Sequence, residues 1–166
     1  MAIVQVPTPQ TGGMTLLSTT TLSGATATIS GISGDYNSLF IIGYGVTNAT
    51  ADGTLRIAPN GSTNISNTGG VLQGSVVNRN SSYIFCLGDP SNLYDRTSAN
   101  NVFSCQIDNY KSTTHWKTFL LSGGITDSVN SVMGGPIKTT SAITSLVFSN
   151  SGGNLSTGTV LLYGVK

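Results

Sequence analysis

The chain contains no glutamate and only one histidine, His115. Only 8% of its 166 residues are charged, whereas soluble domains average about 25%. Enzymes that use acid–base chemistry place carboxyl or imidazole groups in pairs with separated pKa values. The acids here are six scattered aspartates. This composition predicts a protein that is not an enzyme and has no catalytic residues.

Recognisable motifs of catalysis and metal binding are also missing. The sequence has no Gly-x-Ser-x-Gly, His-Glu-x-x-His or Gly-x-x-x-x-Gly-Lys-Ser/Thr motif. Asp108 and His115 bracket one turn, and we interpret them as solvated strand-end residues rather than a dyad. Cys86 and Cys105 lack the Cys-x-x-Cys spacing of zinc sites and are predicted to be free buried thiols. Aspartates in turn sequences are more typical of turn formation than of calcium binding. We therefore predict no metal and no cofactor.

Charge and hydropathy also limit the partners. The net charge of +1 gives no basic surface for nucleic acid. No apolar run reaches the roughly 18 residues of a transmembrane helix, and the first residues show no secretory signal. Neither a nucleic-acid nor a membrane partner is expected.

Serine, threonine, glycine and asparagine make up 80 of the 166 residues, and short apolar segments recur between them. The segment 101–110 alternates, with Phe103, Cys105 and Ile107 on one face, and 143–148 alternates similarly. A period of two over short segments with frequent turns is typical of strands in a sandwich or barrel. We predict an all-β, jelly-roll-like antiparallel β-sandwich. Residues 14–166 would form this single domain, and the proline-containing residues 1–13 an extended N-terminal arm.

Two further expectations concern turns and buried strands. Glycine pairs at 69–70, 123–124 and 134–135 are interpreted as turns, because glycine adopts positive φ without strain. The apolar runs 39–42 and 160–163 are continuous rather than alternating. Continuous runs are typical of strands covered on both faces.

The best candidate site combines aromatic and polar side chains in and after one turn: Asn109, Tyr110, His115 and Trp116. Aromatic faces beside asparagine suit carbohydrate binding. The alternative is that these aromatic groups pack in the sheet or against another subunit, since tyrosine and tryptophan on strands are usually half-buried. The sequence therefore nominates these residues as glycan or subunit contacts.

Several short motifs then occur in a characteristic order. They are Ile107-Asp-Asn-Tyr-Lys-Ser-Thr-Thr-His-Trp-Lys-Thr118, Thr140-Ser-Ala-Ile-Thr-Ser-Leu-Val-Phe148, Gly153-Asn-Leu-Ser-Thr-Gly158 and the closing Leu161-Leu-Tyr-Gly-Val-Lys166, with Leu55-Arg-Ile-Ala-Pro-Asn-Gly-Ser62 earlier. This series resembles a domain of tailed-bacteriophage virion proteins, in the jelly-roll decoration (cement) or tail-fibre family. Leu155 replaces the aromatic residue of the family's Gly-Asn-Phe loop, and Val165 replaces an isoleucine.

The resemblance implies a structural protein of the virion, assembled in the host cytoplasm. The favoured hypothesis is a capsid decoration protein that forms homotrimers on the head, contacts the major capsid protein and stabilises the shell. The alternative is a tail-fibre or baseplate tip module that binds host-surface glycans. The resemblance carries over no catalytic residue. We expect the arm to contact a sister subunit or the shell.

Overall fold

Short apolar segments between turn residues form strands along the whole described chain of the computed structural model. The structure describes residues 13–61, 64–71, 75–88, 97, 99–125 and 129–166. These residues form twelve strands and no helix, which confirms the predicted all-β class. The strands are β1 (Met14–Thr21), β2 (Thr26–Ser30), β3 (Ser38–Asn48), β4 (Leu55–Pro59), β5 (Ile65–Val71), β6 (Ser75–Ser81), β7 (Ile84–Leu87), β8 (Val102–Asp108), β9 (Lys117–Ile125), β10 (Val129–Ile137), β11 (Ser145–Asn150) and β12 (Leu155–Val165).

The strands pair into two sheets. The large sheet has the order β1-β12-β3-β8-β9-β10-β5-β6, and the small sheet has the order β2-β11-β4-β7. Every pairing between these strands is antiparallel. The predicted antiparallel β-sandwich is therefore confirmed. Within the described residues, no helical segment has the length and apolar character needed to cross a membrane.

The core lies between the two sheets and follows the alternation of the strands. Phe103, Cys105 and Ile107 of β8 point inward, as the alternation predicted, and Leu146 and Phe148 of β11 are also buried. These residues belong to one buried cluster to which both sheets contribute. Removing such side chains from water is the main favourable term in folding.

The glycine pairs do not form the predicted turns. Gly69 and Gly70 lie in β5, Gly123 and Gly124 in β9, and 134–135 in β10. A Cβ on Gly69 would overlap the carbonyl oxygen of Val132, and a Cβ on Gly135 would overlap that of Ser66. The glycines allow neighbouring backbones to approach closely, which is a second reason for glycine inside a strand. The turn prediction was wrong because it considered only the first reason.

The two cysteines occupy facing sheets, Cys86 on β7 and Cys105 on β8. Both are free and fully buried. Burial raises the pKa of both thiols, and the nearby Cys105 raises that of Cys86 further.

The predicted arm, residues 1–13, lies outside the described residues except for Gly13. Strand β1 begins at Met14, directly after the predicted boundary. It forms one edge of the large sheet and pairs with the last strand, β12.

Candidate interaction surfaces

The turn between β8 and β9 holds the residues that the sequence nominated, and backbone hydrogen bonds close it. Asn109 has a φ of 59°, a left-handed conformation that asparagine adopts more readily than most residues. Its Nδ2 donates to the Trp116 carbonyl at 3.2 Å, and its carbonyl accepts from the Ser112 amide at 3.0 Å. The amide of Asn109 therefore fixes one end of the turn to the other.

A buried ammonium group fixes the same turn from beneath. Lys117, the first residue of β9, has no exposed surface. Its Nζ donates to the carbonyl oxygens of Ser112 at 2.7 Å, Thr139 at 2.9 Å and His115 at 3.2 Å. Three acceptors match the three donors of an ammonium group. Burial lowers the pKa of Lys117.

Tyr110 is a core residue and not a surface contact. Its side chain has no exposed surface, and its hydroxyl donates to the Ser33 carbonyl. Its own carbonyl accepts from the Ile143 amide at 2.8 Å. Burial raises the pKa of the phenol. The nomination of Tyr110 as a glycan or subunit contact is therefore corrected, because the folded chain offers none of its ring to a partner.

His115 and Trp116 are exposed, and Trp116 retains 55% of its surface. His115 Nδ1 shares a 2.8 Å hydrogen bond with the Thr114 hydroxyl. Asp108 instead accepts from Ser38 Oγ at 2.6 Å and from Gln106 Nε2 at 2.8 Å. Asn109, His115 and Trp116 thus share one exposed turn, while the carboxylate of Asp108 is engaged with other donors.

A second surface, which the sequence did not nominate, covers the outside of the large sheet. We call it the outer apolar face and define it as the outward-facing residues of β1, β12, β3, β8, β9 and β10. Strand register places one row across it, running Leu16, Tyr163, Phe40, Gln106, Leu120 and Gly134. The next row runs Thr19, Leu161, Ile42, Ser104, Ser122 and Val132.

The most exposed large apolar residues lie on this face. Leu120 keeps 64% of its surface and Leu16 keeps 51%. Together with Trp116, which directly precedes β9, the exposed large apolar residues of the described chain are Met14, Leu16, Tyr44, Val102, Leu120 and Val132. Scattered apolar residues on a surface are ordinary, but a contiguous patch marks an interaction site.

The small sheet has a polar outer surface at its edge. Its edge strand β2 presents Thr26, Thr28 and Ser30 to solvent, while Ala27 and Ile29 are buried. Threonine and serine hydroxyls keep their hydrogen bonds with water, whereas exposed leucine and valine side chains form no hydrogen bonds with it. The outer surface of β2 is therefore more polar than the outer apolar face.

The outer apolar face carries little charge. Among its outward positions on the six named strands, Asp108 is the one charged residue, and it lies at the end of β8. The two donors described above already engage its Oδ1. A partner that covered this face would need to desolvate few charges, and desolvating unpaired charges is costly.

A hollow of about 380 Å³ interrupts the face where Gly124 has no side chain. It is lined by Val102, Phe103, Ser104, Ser122, Gly123, Gly124 and Asn130. A Cβ on Gly124 would stand 3.5 Å from Val102 Cγ2, which is ordinary van der Waals contact. The hollow lies on the same strand as Leu120, the most exposed apolar side chain among the described residues.

The continuous apolar runs were the sequence signal for this face. Leu39 and Ile41 point into the core, but Phe40 and Ile42 lie on the outer apolar face, and the run 160–163 divides in the same way. Within this chain such strands are covered on one side only. The expectation of cover on both faces is therefore wrong for the single chain.

No protein-family model, curated protein or solved structure matches the chain.

Proposed function

We propose that the chain is a structural protein of a tailed-bacteriophage virion that decorates the assembled head as a homotrimer. The observation that carries the proposal is the outer apolar face, which one copy of the chain leaves uncovered. A protein that works by contact needs such a face, whereas it needs no catalytic group. The order of the phage-like motifs adds the virion context to this physical argument.

We further infer that the sandwich is a jelly roll with two inserted hairpins. A jelly roll is a long antiparallel hairpin rolled into two sheets, so its first strand pairs with its eighth and its second with its seventh. Without β5-β6 and β9-β10, the chain pairs β1 with β12, β2 with β11, β3 with β8 and β4 with β7. Viral capsid proteins use this architecture, and its strand order supports the virion reading.

A head-decorating protein stabilises a shell by mass action, because it binds the assembled state and not the separate subunits. Its surface should lose water without stranding charge. The low charge of the whole chain meets this requirement. Several copies joined together would also bind several shell sites at once, which strengthens attachment.

The test uses heads assembled from the phage genome that encodes this chain, with its own gene deleted. We expect purified protein to co-sediment with these heads, to saturate at a fixed ratio to the major capsid protein, and to raise the temperature at which they release DNA. Electron cryomicroscopy should show it on the head. Absence from the head, or binding without saturation, would contradict the proposal.

The exposed Trp116 favours one second candidate, a tail-tip module that binds host glycans. Asn109 and Lys117 donate hydrogen bonds to backbone carbonyls of its turn, and an exposed aromatic face suits stacking against a sugar. We expect Trp116→Ala to abolish any glycan-array signal and Tyr44→Ala, which removes another exposed aromatic group, to leave it intact. Location of the protein at the tail would support this candidate over head decoration.

A further inference from the structure

We propose that copies of this chain meet through the outer apolar face, with Leu120 of one copy seated in the hollow over Gly124 of the next. This inference rests on the proposed role as an oligomeric virion subunit. It names the surface of self-association and the two features that fit together.

The size of the face is sufficient for a stable contact. Six strands about 4.8 Å apart, each seven residues long as in β8, give a face of roughly 650 Å² at about 3.3 Å per residue. A standard protein interface buries about 800 Å² on each partner. The face therefore supplies most of one partner's share without any contribution from the rest of the chain.

The lack of charge on the face favours a further copy as the partner. The face has a single carboxylate, and Ser38 and Gln106 already donate to it. A strongly charged partner would find no opposite charge here, and electrostatic complementarity is what such partners need. Two copies of a nearly neutral face meet without like-charge repulsion and bury leucine, tyrosine and valine against each other.

One projection and one hollow on the face determine how two copies align in the proposed contact. Leu120 projects with 64% of its surface exposed, and the Gly124 hollow of about 380 Å³ opens farther along β9. The lining residues Val102, Ser104 and Ser122 offer apolar and hydroxyl surface and no charge. Because both features lie on every copy, each copy supplies a projection and receives one, as closed symmetric assemblies require.

The experiment measures mass in solution by sedimentation velocity and by size exclusion with light scattering. Wild-type protein is expected to be an oligomer at micromolar concentration. Leu120→Lys removes the projection, and Gly124→Leu fills the hollow from a position with room for a Cβ. We expect each to raise the dissociation constant of self-association at least about tenfold, with an unchanged circular dichroism spectrum.

Thr28→Lys is the matched control, because it places the same charge on an outward strand position of the small sheet. It should leave the oligomer intact. A monomeric wild type would overturn the inference, and so would an oligomer that both face variants leave unaffected. If a variant fails to fold, the other decides the question, since one removes a projection and the other fills a hollow.

Head binding separates this inference from the proposed function. If the wild-type oligomer depends on Leu120 and Gly124 but does not bind heads, the proposed function fails and the interface stands. If wild type binds heads and both variants remain oligomeric, the function stands and the interface is wrong.

Discussion

At the scale of single residues, polar groups in the interior determine how the β8–β9 turn is held. Lys117 and Tyr110 are both fully buried, and each uses its polar end to bind backbone carbonyls from other segments. Buried polar groups are tolerated when they are hydrogen-bonded. These two side chains therefore stabilise the turn and leave His115 and Trp116 exposed.

Replacing the buried ammonium should be costly. In Lys117→Met, the carbonyls of Ser112, His115 and Thr139 lose their charged donor. We expect the free energy of unfolding to fall by at least about 2 kcal/mol, since one unsatisfied buried acceptor costs about 1–3 kcal/mol. Urea denaturation measures it. Lys111→Met, at an exposed position of the same turn, should change it by less than about 0.5 kcal/mol; equal losses would contradict this role.

Because two thiols are buried, we expect the free energy of unfolding to fall at alkaline pH. Burial holds the pKa of Cys86 and Cys105 above the unfolded value of 9.0. Their contribution is complete below pH 9 and is lost as the pH rises, because the unfolded chain releases thiol protons that the folded chain retains. Each thiol lowers the free energy of unfolding by up to about 1.4 kcal/mol per pH unit.

Tyr110 also lowers the free energy of unfolding as the pH rises further, because its pKa is raised in the folded chain. The lowered pKa of Lys117 has the opposite effect on the free energy of unfolding. We expect urea midpoints to fall between pH 8.5 and pH 10 in wild type and to fall less steeply in Cys105→Ala. An unchanged slope in that variant would show that the thiol does not govern the alkaline loss.

At the scale of elements, the pairing of β10 with β5 depends on glycine. A Cβ on Gly135 would overlap the Ser66 carbonyl oxygen, and Gly135 has a φ of 155°, a conformation that other residues rarely adopt. Close backbone approach therefore depends on the missing side chain. Strands β5 and β6 join the large sheet through this contact.

A strand glycine should tolerate alanine only where there is space. We expect Gly135→Ala to lower the free energy of unfolding by about 2 kcal/mol or more, because the backbone must shift. Gly124→Ala, with its nearest contact at 3.5 Å, should leave it unchanged or raise it by up to about 1 kcal/mol. Amide hydrogen exchange should also quicken along β5 in the first variant and not in the second.

At the scale of the whole molecule, the outer apolar face of the large sheet stands out. It presents leucine, tyrosine and valine to water, whereas the edge strand β2 of the small sheet presents threonine and serine. Folding of one chain requires only the inner faces to be apolar. The proposed association accounts for the apolar outer face, which the stability of the single chain does not require.

Self-association through this face should depend little on salt. The face holds one engaged carboxylate, so screening has little to weaken. We expect the dissociation constant to change less than about threefold between about 0.01 M and 0.15 M ionic strength, over which the Debye length falls from about 30 Å to about 8 Å. Sedimentation velocity measures it. A tenfold weakening would indicate that charges outside the face hold the copies together.

The sequence by itself determined the fold class and much of the core. Alternation in 101–110 and 143–148 reports which side chains face inward, because a strand turns successive residues to opposite sides. Asn109 was also placed in the β8–β9 turn from sequence, since turn residues are recognisable without knowledge of distant contacts, whereas Trp116 was assigned to the strand segment that follows it.

Only the tertiary structure decided which surfaces were left uncovered. The apolar sequence of residues 39–42 is compatible with a strand covered on one face and with a strand covered on both. Sequence periodicity carries no information on which other parts of the protein pack against each face. Tyr110 was nominated for a surface and lies in the core because its partner, Ser33, is distant in sequence. Gly69 and Gly135 were predicted to lie in turns and instead lie at close contacts between strands for the same reason, because the neighbouring backbone that requires glycine is present only in the assembled sheet.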